Sequence, residues 1–299
     1  MGLFSFFGKS NVLYFPGCTN YFKFKEGFEM YKKIFSKLRI GFEVLDEQIC
    51  CGLEALEGGY ENEARKLARK NFEIFKEQGF DSIITSSPEC YKMFLQNYFE
   101  ILPDWNIKVR NIWEIILKKL KGKSRLIKYK AMGVVSFHDN CYLGRYCGVY
   151  DEPRQILEAI GYEIKEMYNF GENSFCCGSC GGLDRTNPEL ANKIARERIL
   201  QAKRIGVKKI VVVGFDNYNL LKKNIKDSDV EVLELSEVLG LALGIEGVKK
   251  ESDEFIEGEE EILEENSNEK EVLKEAKANM QLQEELKEED YYEDLEDEI

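Results

Sequence analysis

Hydrophobic positions along the chain switch repeatedly between two periods. Short apolar runs at residues 11–16, 42–45, 82–85 and 107–109 have strand length and are bounded by glycine, proline, serine or aspartate. Between them, residues 23–38 carry Phe28, Tyr31, Ile34, Phe35 and Leu38 three and four apart, which places them on one helix face. A second helix is predicted over 61–78, stopping at Gly79 because a helix end takes glycine without a Cβ clash. Pro88 suits the first turn of a third helix reaching to about 101. A fourth covers 112–120, and residues 121–130 are basic and weakly patterned, as a linker would be. The alternation then restarts, with strands predicted at 132–137, 162–167, 209–213 and 230–233 and helices at 153–160, 188–205 and 236–243.

This restart is an internal repeat. Residues 64–94 match 191–221 at one constant offset, pairing Ala68 with Ala195, Arg69 with Arg196, Gly79 with Gly206, Ile83 with Ile210 and Tyr91 with Tyr218. Gly41-Phe42-Glu43-Val44 matches Gly161-Tyr162-Glu163-Ile164, Cys18 matches Cys141, and Cys50-Cys51 matches Cys176-Cys177. Alternating strands and helices predict an α/β protein of two related cysteine-rich domains, each a small, mostly parallel sheet with flanking helices. The first spans 10–125 and the second 130–248. Residues 249–299 are expected to be a largely disordered tail, with at most a fraying helix over 269–286.

Charge sharpens that division. Residues 251–299 hold 22 acidic side chains and 4 Lys, a net of −18, whereas the rest of the chain nets +5. The basic residues of the body are interleaved with acids and form no dense run, which argues against a nucleic-acid surface. No segment has the length of a membrane span, and the short apolar start lacks a secretory pattern. A cytoplasmic location is therefore expected. With 43% hydrophobic residues the chain can bury a sizeable core.

The nine cysteines of such a chain should stay reduced, so their clustering points to metal ligation or redox chemistry. Adjacent cysteines on a strand point to opposite faces. Both thiols of Cys50-Cys51-Gly52 and Cys176-Cys177-Gly178 converge only if the backbone turns sharply, which glycine permits. The first half offers four thiols, Cys18, Cys50, Cys51 and Cys90, each in or beside a loop after a predicted strand. Ligands of parallel sheets sit at those carboxyl ends, and iron–sulfur clusters take four thiolates.

The second half offers Cys141, Cys176 and Cys177, with Asn217 where Cys90 has its counterpart. Cys180 is the first candidate for the missing ligand and Cys147 the second. Zinc is the chemical rival, although its four-cysteine sites usually arrive as CxxC pairs. Cys177-Gly178-Ser179-Cys180 also has the spacing of a redox pair. His138, the single histidine, reads foremost as a buried side chain bonded to backbone and secondarily as a proton donor or cluster neighbour. Arg145, Arg185 and Lys203 read equally well as contacts for an anionic substrate or as solvated charges.

The run Gly17-Cys18, Cys50-Cys51-Gly52, Ser87-Pro88-Glu89-Cys90, His138-Asp139-Asn140-Cys141-Tyr142-Leu143-Gly144-Arg145, Cys176-Cys177-Gly178 and Gly181-Gly182 resembles the duplicated cysteine-rich (CCG) domain family over about residues 10–245. That family includes heterodisulfide reductase B/D-type subunits, the iron–sulfur subunits of glycolate and lactate oxidases, and related fumarate reductase and succinate dehydrogenase subunits. Its members typically carry a CxxC after Cys-Cys-Gly, giving five thiolates per domain. In heterodisulfide reductase these hold a noncubane cluster that cleaves the substrate disulfide. Here those places read Ser87-x-x-Cys90 and Gly214-x-x-Asn217, so four and three of the five remain.

The first domain therefore looks like the four-cysteine version found in lactate-oxidation subunits. The resemblance implies one or two clusters per chain, [4Fe-4S] in type, ligated by Cys18, Cys50, Cys51, Cys90, Cys141, Cys176, Cys177 and Cys180. It implies an electron-transfer subunit of an oxidoreductase. No ferredoxin-like CxxCxxCxxxCP run is present in this sequence. Electrons are thus expected from a partner flavoprotein or ferredoxin-type subunit, with a disulfide, quinone or 2-hydroxyacid-derived acceptor. The alternatives are a thiol/disulfide reductase acting directly on substrate and a non-catalytic metal-binding or assembly protein.

Overall fold

The computed structural model of the protein describes residues 10–226, 228–246 and 255–257. In the first half, Val12–Tyr14 (β1) leads into Cys18–Phe22 (α1) and Lys25–Lys37 (α2). Leu53–Glu57 (α3), Glu61–Glu77 (α4) and Ser82–Ile84 (β2) follow. Pro88–Lys92 (α5) and Tyr98–Ile101 (α6) flank a π-helical turn, Met93–Asn97, and Lys108–Val109 (β3) and Ile112–Leu120 (α7) end the half. The three strands are parallel in the order β1-β2-β3, with Leu13 opposite Ile83 and Ile83 opposite Val109.

The strand expected at 42–45 shrinks to a single parallel bridge, Leu13 to Glu43. Two backbone bonds hold it, Tyr14 N–H to the Glu43 carbonyl at 2.7 Å and Glu43 N–H to the Val12 carbonyl at 2.9 Å. It forms the outer edge beside β1.

The second half begins with Tyr129–Ala131 (β4) and Val134–His138 (β5). The strand expected at 132–137 is Val134–His138, Tyr129–Ala131 falls mostly in the stretch read as a linker, and Gly133, at φ 119, separates the two. A π-helical turn, Tyr142–Tyr146, precedes Asp151–Ala159 (α8) and Glu163–Ile164 (β6). Leu183–Thr186 (α9), Pro188–Arg204 (α10), Lys209–Val212 (β7), Phe215–Lys223 (α11), Glu231–Glu234 (β8) and Leu235–Ala242 (α12) complete it. The parallel order is β6-β5-β7-β8. With the residue-43 edge counted, both halves share one order, in which the first strand lies between the second and the third. The chain leaves the first strand toward one side and the third toward the other, so the crevice at their carboxyl ends is the topological switch point. Cys18 and Cys90 follow β1 and β2, and Cys141 and Asn217 follow β5 and β7.

The halves pack reciprocally. Helix α2 lies against α12, and α8, the repeat counterpart of α2, lies against α7, the counterpart of α12. The segment after Cys18 touches α11, and the segment after Cys141 touches α5. Such paired contacts are those of an approximate twofold. One apolar core runs through both halves and includes Tyr14, Tyr31, Trp113, Phe137, Val211 and Leu239, all at most 1% exposed. A second, around Phe15, Phe72, Phe75 and Phe94, fills the other face of the first sheet. The opposite placement of Tyr14 and its neighbours Leu13 and Phe15 is the alternation a strand imposes. The expected tail from 249, including the helix considered over 269–286, lies outside the described residues apart from a strand, Phe255–Glu257 (β9). Among the described residues no helix is long and apolar enough to cross a membrane.

Candidate metal centres

Each cysteine group is built by the same local devices. After β1 the chain turns at Gly17 (φ 86) into α1, which presents Cys18 in its first turn. The Cys50-Cys51 loop turns at Gly52 (φ 91) into α3, and Gly178 (φ 96) stands at the same place in the second loop. A Cβ on Gly178 would sit 2.8 Å from the Ala191 carbonyl oxygen, so this loop needs glycine for both its φ and its close approach to α10. The backbone N–H groups of these glycines donate to sulfur, Gly52 to Cys50 Sγ at 3.4 Å and Gly178 to Cys176 Sγ at 3.3 Å. Cys90 enters on α5, whose N-cap Ser87 accepts from the Cys90 N–H at 3.3 Å.

In the first half the four thiols form a chain of contacts. Cys51 meets Cys90 with 3.3 Å between sulfurs, and Cys18, Cys50 and Cys51 lie near enough in turn to shift one another's thiols. The hydrogen bond to Cys50 and then burial push the Cys18 thiol up. Beneath the pair, Asn71 Nδ2 donates to the Cys50 carbonyl at 2.8 Å and Tyr98 Oη to the Cys51 carbonyl at 3.0 Å. These bonds fix the turn that brings the two sulfurs together.

In the second half Cys141, Cys176 and Cys180 bring their sulfurs within 4.8 Å of one another, a triad able to ligate a metal. Hydrogen bonds from Cys141 and then Cys180 draw the Cys176 thiol down to about 2. Cys141 is pushed up to about 11, foremost by its bond to Cys176, and Cys180 well above its ordinary value by its bonds to Cys141 and Cys176 and by burial. A metal bound by the triad would displace the protons its thiols still hold.

Cys177 stands outside the triad. It is fully buried, burial raises its thiol to about 12, and its sulfur lies 3.4 Å from Ser179 Oγ. Ser179 in turn donates to Asn217 Oδ1 at 2.8 Å. Where Cys51 meets Cys90 in the first half, Cys177 therefore meets a hydroxyl backed by an amide. Cys147 is half-buried and raised to about 11 by burial, with no sulfur neighbour among the described contacts.

His138 is wholly buried, but its partner is a side chain rather than backbone. Arg198 Nε donates to His138 Nδ1 at 3.0 Å, and burial followed by the Arg198 charge lowers the imidazole to about 3. With Nδ1 accepting, the neutral ring carries its proton on Nε2. Arg198 also donates from Nη1 to the Asn169 carbonyl and to Gln201 Oε1, both at 2.7 Å. Sequence patterning missed Arg198, although the repeat pairs it with Asn71 beneath the first cysteine pair. Arg185 forms an ion pair with Glu54 that links the halves, Arg145 donates to the Ser174 carbonyl at 2.8 Å, and Lys203 lies 3.5 Å from Asp229. Tyr142 joins the halves at the second loop, accepting from Gly181 N–H at 2.9 Å and donating to Glu57 Oε2 at 2.7 Å.

Two partly buried groups of thiols, at equivalent switch points of a duplicated fold, offer the donors of a class of protein that binds soft metal through thiolate. The donor sets fit an iron–sulfur centre, which is held by cysteine and stabilised by N–H donation to sulfur. The cysteine-rich (CCG) domain model matches the chain twice, over residues 12–95 and 135–214, and the chain belongs to that family.

Among its relatives is the D-type component of the dihydromethanophenazine:CoB–CoM heterodisulfide reductase from Methanosarcina acetivorans, 30% identical over 79% of this chain and 60% of the relative. The EtfAB:quinone oxidoreductase of Syntrophomonas wolfei is 34% identical over 57% of this chain and 24% of its own. The probable iron–sulfur-binding oxidoreductase FadF of Bacillus subtilis is 36% identical over 46% of this chain and 19% of its own. This chain thus spans at most 60% of the length of these relatives.

Proposed function

We propose that the chain is the iron–sulfur electron-transfer subunit of a cytoplasmic oxidoreductase, similar to the heterodisulfide reductase B/D group. It passes electrons between a partner flavoprotein or ferredoxin-type subunit and a disulfide or quinone acceptor. The observation that carries this reading is the convergence of thiols at both switch points, seen in a chain whose relatives bear the names of iron–sulfur, quinone and heterodisulfide oxidoreductases.

Cys18, Cys50, Cys51 and Cys90 would hold one cluster and the second cysteine group another, [4Fe-4S] in type. A bound cluster supplies one-electron chemistry. The protein supplies the rest. The Gly52 and Gly178 amides donate to ligand sulfur, which favours the reduced form. Asn71 and Tyr98 hold the turn that positions two ligands, and burial of Cys51 and Cys90, at 5% and 3% exposure, keeps water from that side.

Anaerobic purification followed by iron and acid-labile sulfide analysis tests the proposal. Iron and sulfide in comparable amounts, with an EPR signal on dithionite reduction, are expected. Zinc without sulfide would overturn it.

A further inference from the structure

We infer that Arg198, acting together with His138, is a buried cation that gives the second cysteine group a higher reduction potential than the first, so that electrons delivered to the chain come to rest on the second centre. This rests on the iron–sulfur reading above and goes beyond it, since that reading gives the two centres no order.

The place of the charge comes first. The repeat sets Arg198 opposite Asn71. Each lies on the long helix that follows a cysteine pair, α10 and α4, and they are 0% and 1% exposed. Asn71 is neutral and donates to the Cys50 carbonyl at 2.8 Å. Arg198 brings a full positive charge to the equivalent position. The N–H donation to sulfur is matched in the two halves, from Gly52 at 3.4 Å and from Gly178 at 3.3 Å. It therefore favours the reduced form equally in both, and the charge does not.

The second observation is that Arg198 has no carboxylate of its own. Its hydrogen bonds go to neutral acceptors, His138 Nδ1, the Asn169 carbonyl and Gln201 Oε1. Its Nη2 has no partner among the described residues, and neither has His138 Nε2. A buried charge without a counter-ion is strongly unfavourable. The groups that favour the charged guanidinium are Asp139, Cys177 and Glu166. Both of those carboxylates are bonded to Arg154, at 2.7 and 2.6 Å. What remains to balance Arg198 is the cysteine pair, since His138 acts electrostatically on Cys176 as Arg198 does on Cys177.

A centre held by thiolates gains one further negative charge on reduction. One electron leaves the reduced first centre and enters the oxidised second, and no bond is made or broken. A fixed cation in a low-dielectric surrounding stabilises the reduced form more than the oxidised one. Other charges act in the same sense. Arg145 acts on Cys141, whereas the charged side chains besides cysteine that act on Cys18 are the carboxyls Glu54 and Asp216.

The test uses the full chain, purified anaerobically, and reads midpoint potentials by EPR-monitored redox titration. The parent should give two one-electron waves. Cys176→Ser should remove the more positive one, which assigns that wave to the second centre. Arg198→Gln should lower the same wave by about tenfold in its equilibrium constant, about 59 mV for one electron, and leave the other in place. Arg198→Lys, which keeps the charge, should stay close to the parent; a role in packing alone would not separate the two variants in potential. Should Arg198→Gln not fold, the order of the waves in parent and Cys176→Ser still decides. With iron and sulfide present, loss of the more negative wave in Cys176→Ser, or two centres of equal potential, would overturn the inference while leaving the electron-transfer reading intact. So would an unmoved wave in folded Arg198→Gln, or an equal shift in Arg198→Lys. Absence of iron and sulfide from the parent would overturn both.

Discussion

The two halves share a strand order, a glycine turn after each cysteine pair and reciprocal helix packing, yet their thiol groups differ in kind. In the first half the CxxC remnant contributes Cys90, the sulfurs of Cys51 and Cys90 meet, and a neutral amide, Asn71, lies beneath the pair. In the second, Asn217 replaces that cysteine, Cys177 turns to Ser179, Cys180 joins from the glycine-rich loop, and the position of Asn71 holds the buried Arg198. One lost thiol is thus accompanied by one gained cation. A duplicated scaffold fixes where a metal site lies. The side chains at three or four equivalent positions decide what charge and how many ligands it offers.

The largest predicted effect comes from an ion pair found in the second half and without a counterpart at the equivalent place in the first. Asp139, whose side chain is 1% exposed, accepts from Arg154 at 2.7 and 3.0 Å, and the same arginine reaches Glu166. The equivalent first-half position is Pro16, which offers no such pair. Arg154→Ala leaves a buried carboxylate without its cation and should cost about 3–5 kcal/mol, read as a lower urea midpoint. Because the apolar core is shared, the transition should stay single. Separate unfolding of the two halves would contradict the continuous core.

A smaller effect tests how tightly the halves are joined. Glu234, on the second half, is fully buried, and its Oε1 accepts from Tyr31 Oη of the first at 2.9 Å. Burial raises its carboxyl to about 7, against donation from Ser236, Gly214 and Tyr31. A raised folded pKa means the native state prefers the protonated form. Its stabilising effect is therefore full below the unfolded value and is lost as pH rises toward 7. At about 1.4 kcal/mol per unit, stability should fall by roughly 3 kcal/mol between about pH 4.5 and 7 from this group. Glu234→Gln should flatten that slope in urea titrations at several pH values. An unchanged slope would show that the carboxyl does not titrate in this window.

Much of this architecture was legible in the sequence, because strands and helices of a parallel α/β fold alternate and the repeat is written in matching residues. What the pattern overstated was strand length. Residues 42–45 look like a strand, but only Glu43 finds a bridge, since edge strands need few partners. The π turns after Cys90 and Cys141 escaped notice because apolar periodicity does not distinguish one extra residue per turn.

At the metal centres, cysteine spacing suggests both groups, and the folded chain sets Cys141, Cys176 and Cys180 within 4.8 Å of one another with the Cys177 sulfur beside Ser179. The neighbour of Cys177 in sequence is Cys176, and only the folded loop shows its sulfur beside Ser179 Oγ, which itself donates to Asn217. Arg198 was hidden for a similar reason. It sits in a helix among other charges, and burial alone separates it from Arg196 and Arg204.

Equivalent cysteines of the two halves have different surroundings, since Cys51 meets the Cys90 sulfur and Cys177 meets Ser179 Oγ. The direct measurement is iron and acid-labile sulfide per folded chain, determined anaerobically in parent, Cys51→Ser and Cys177→Ser proteins. Cys51→Ser should lose the iron of the first centre, because serine is a much harder ligand than thiolate. Cys177→Ser should match the parent. Equal iron loss in both variants would show that Cys177 ligates as Cys51 does, and would contradict the distinction drawn between the two halves.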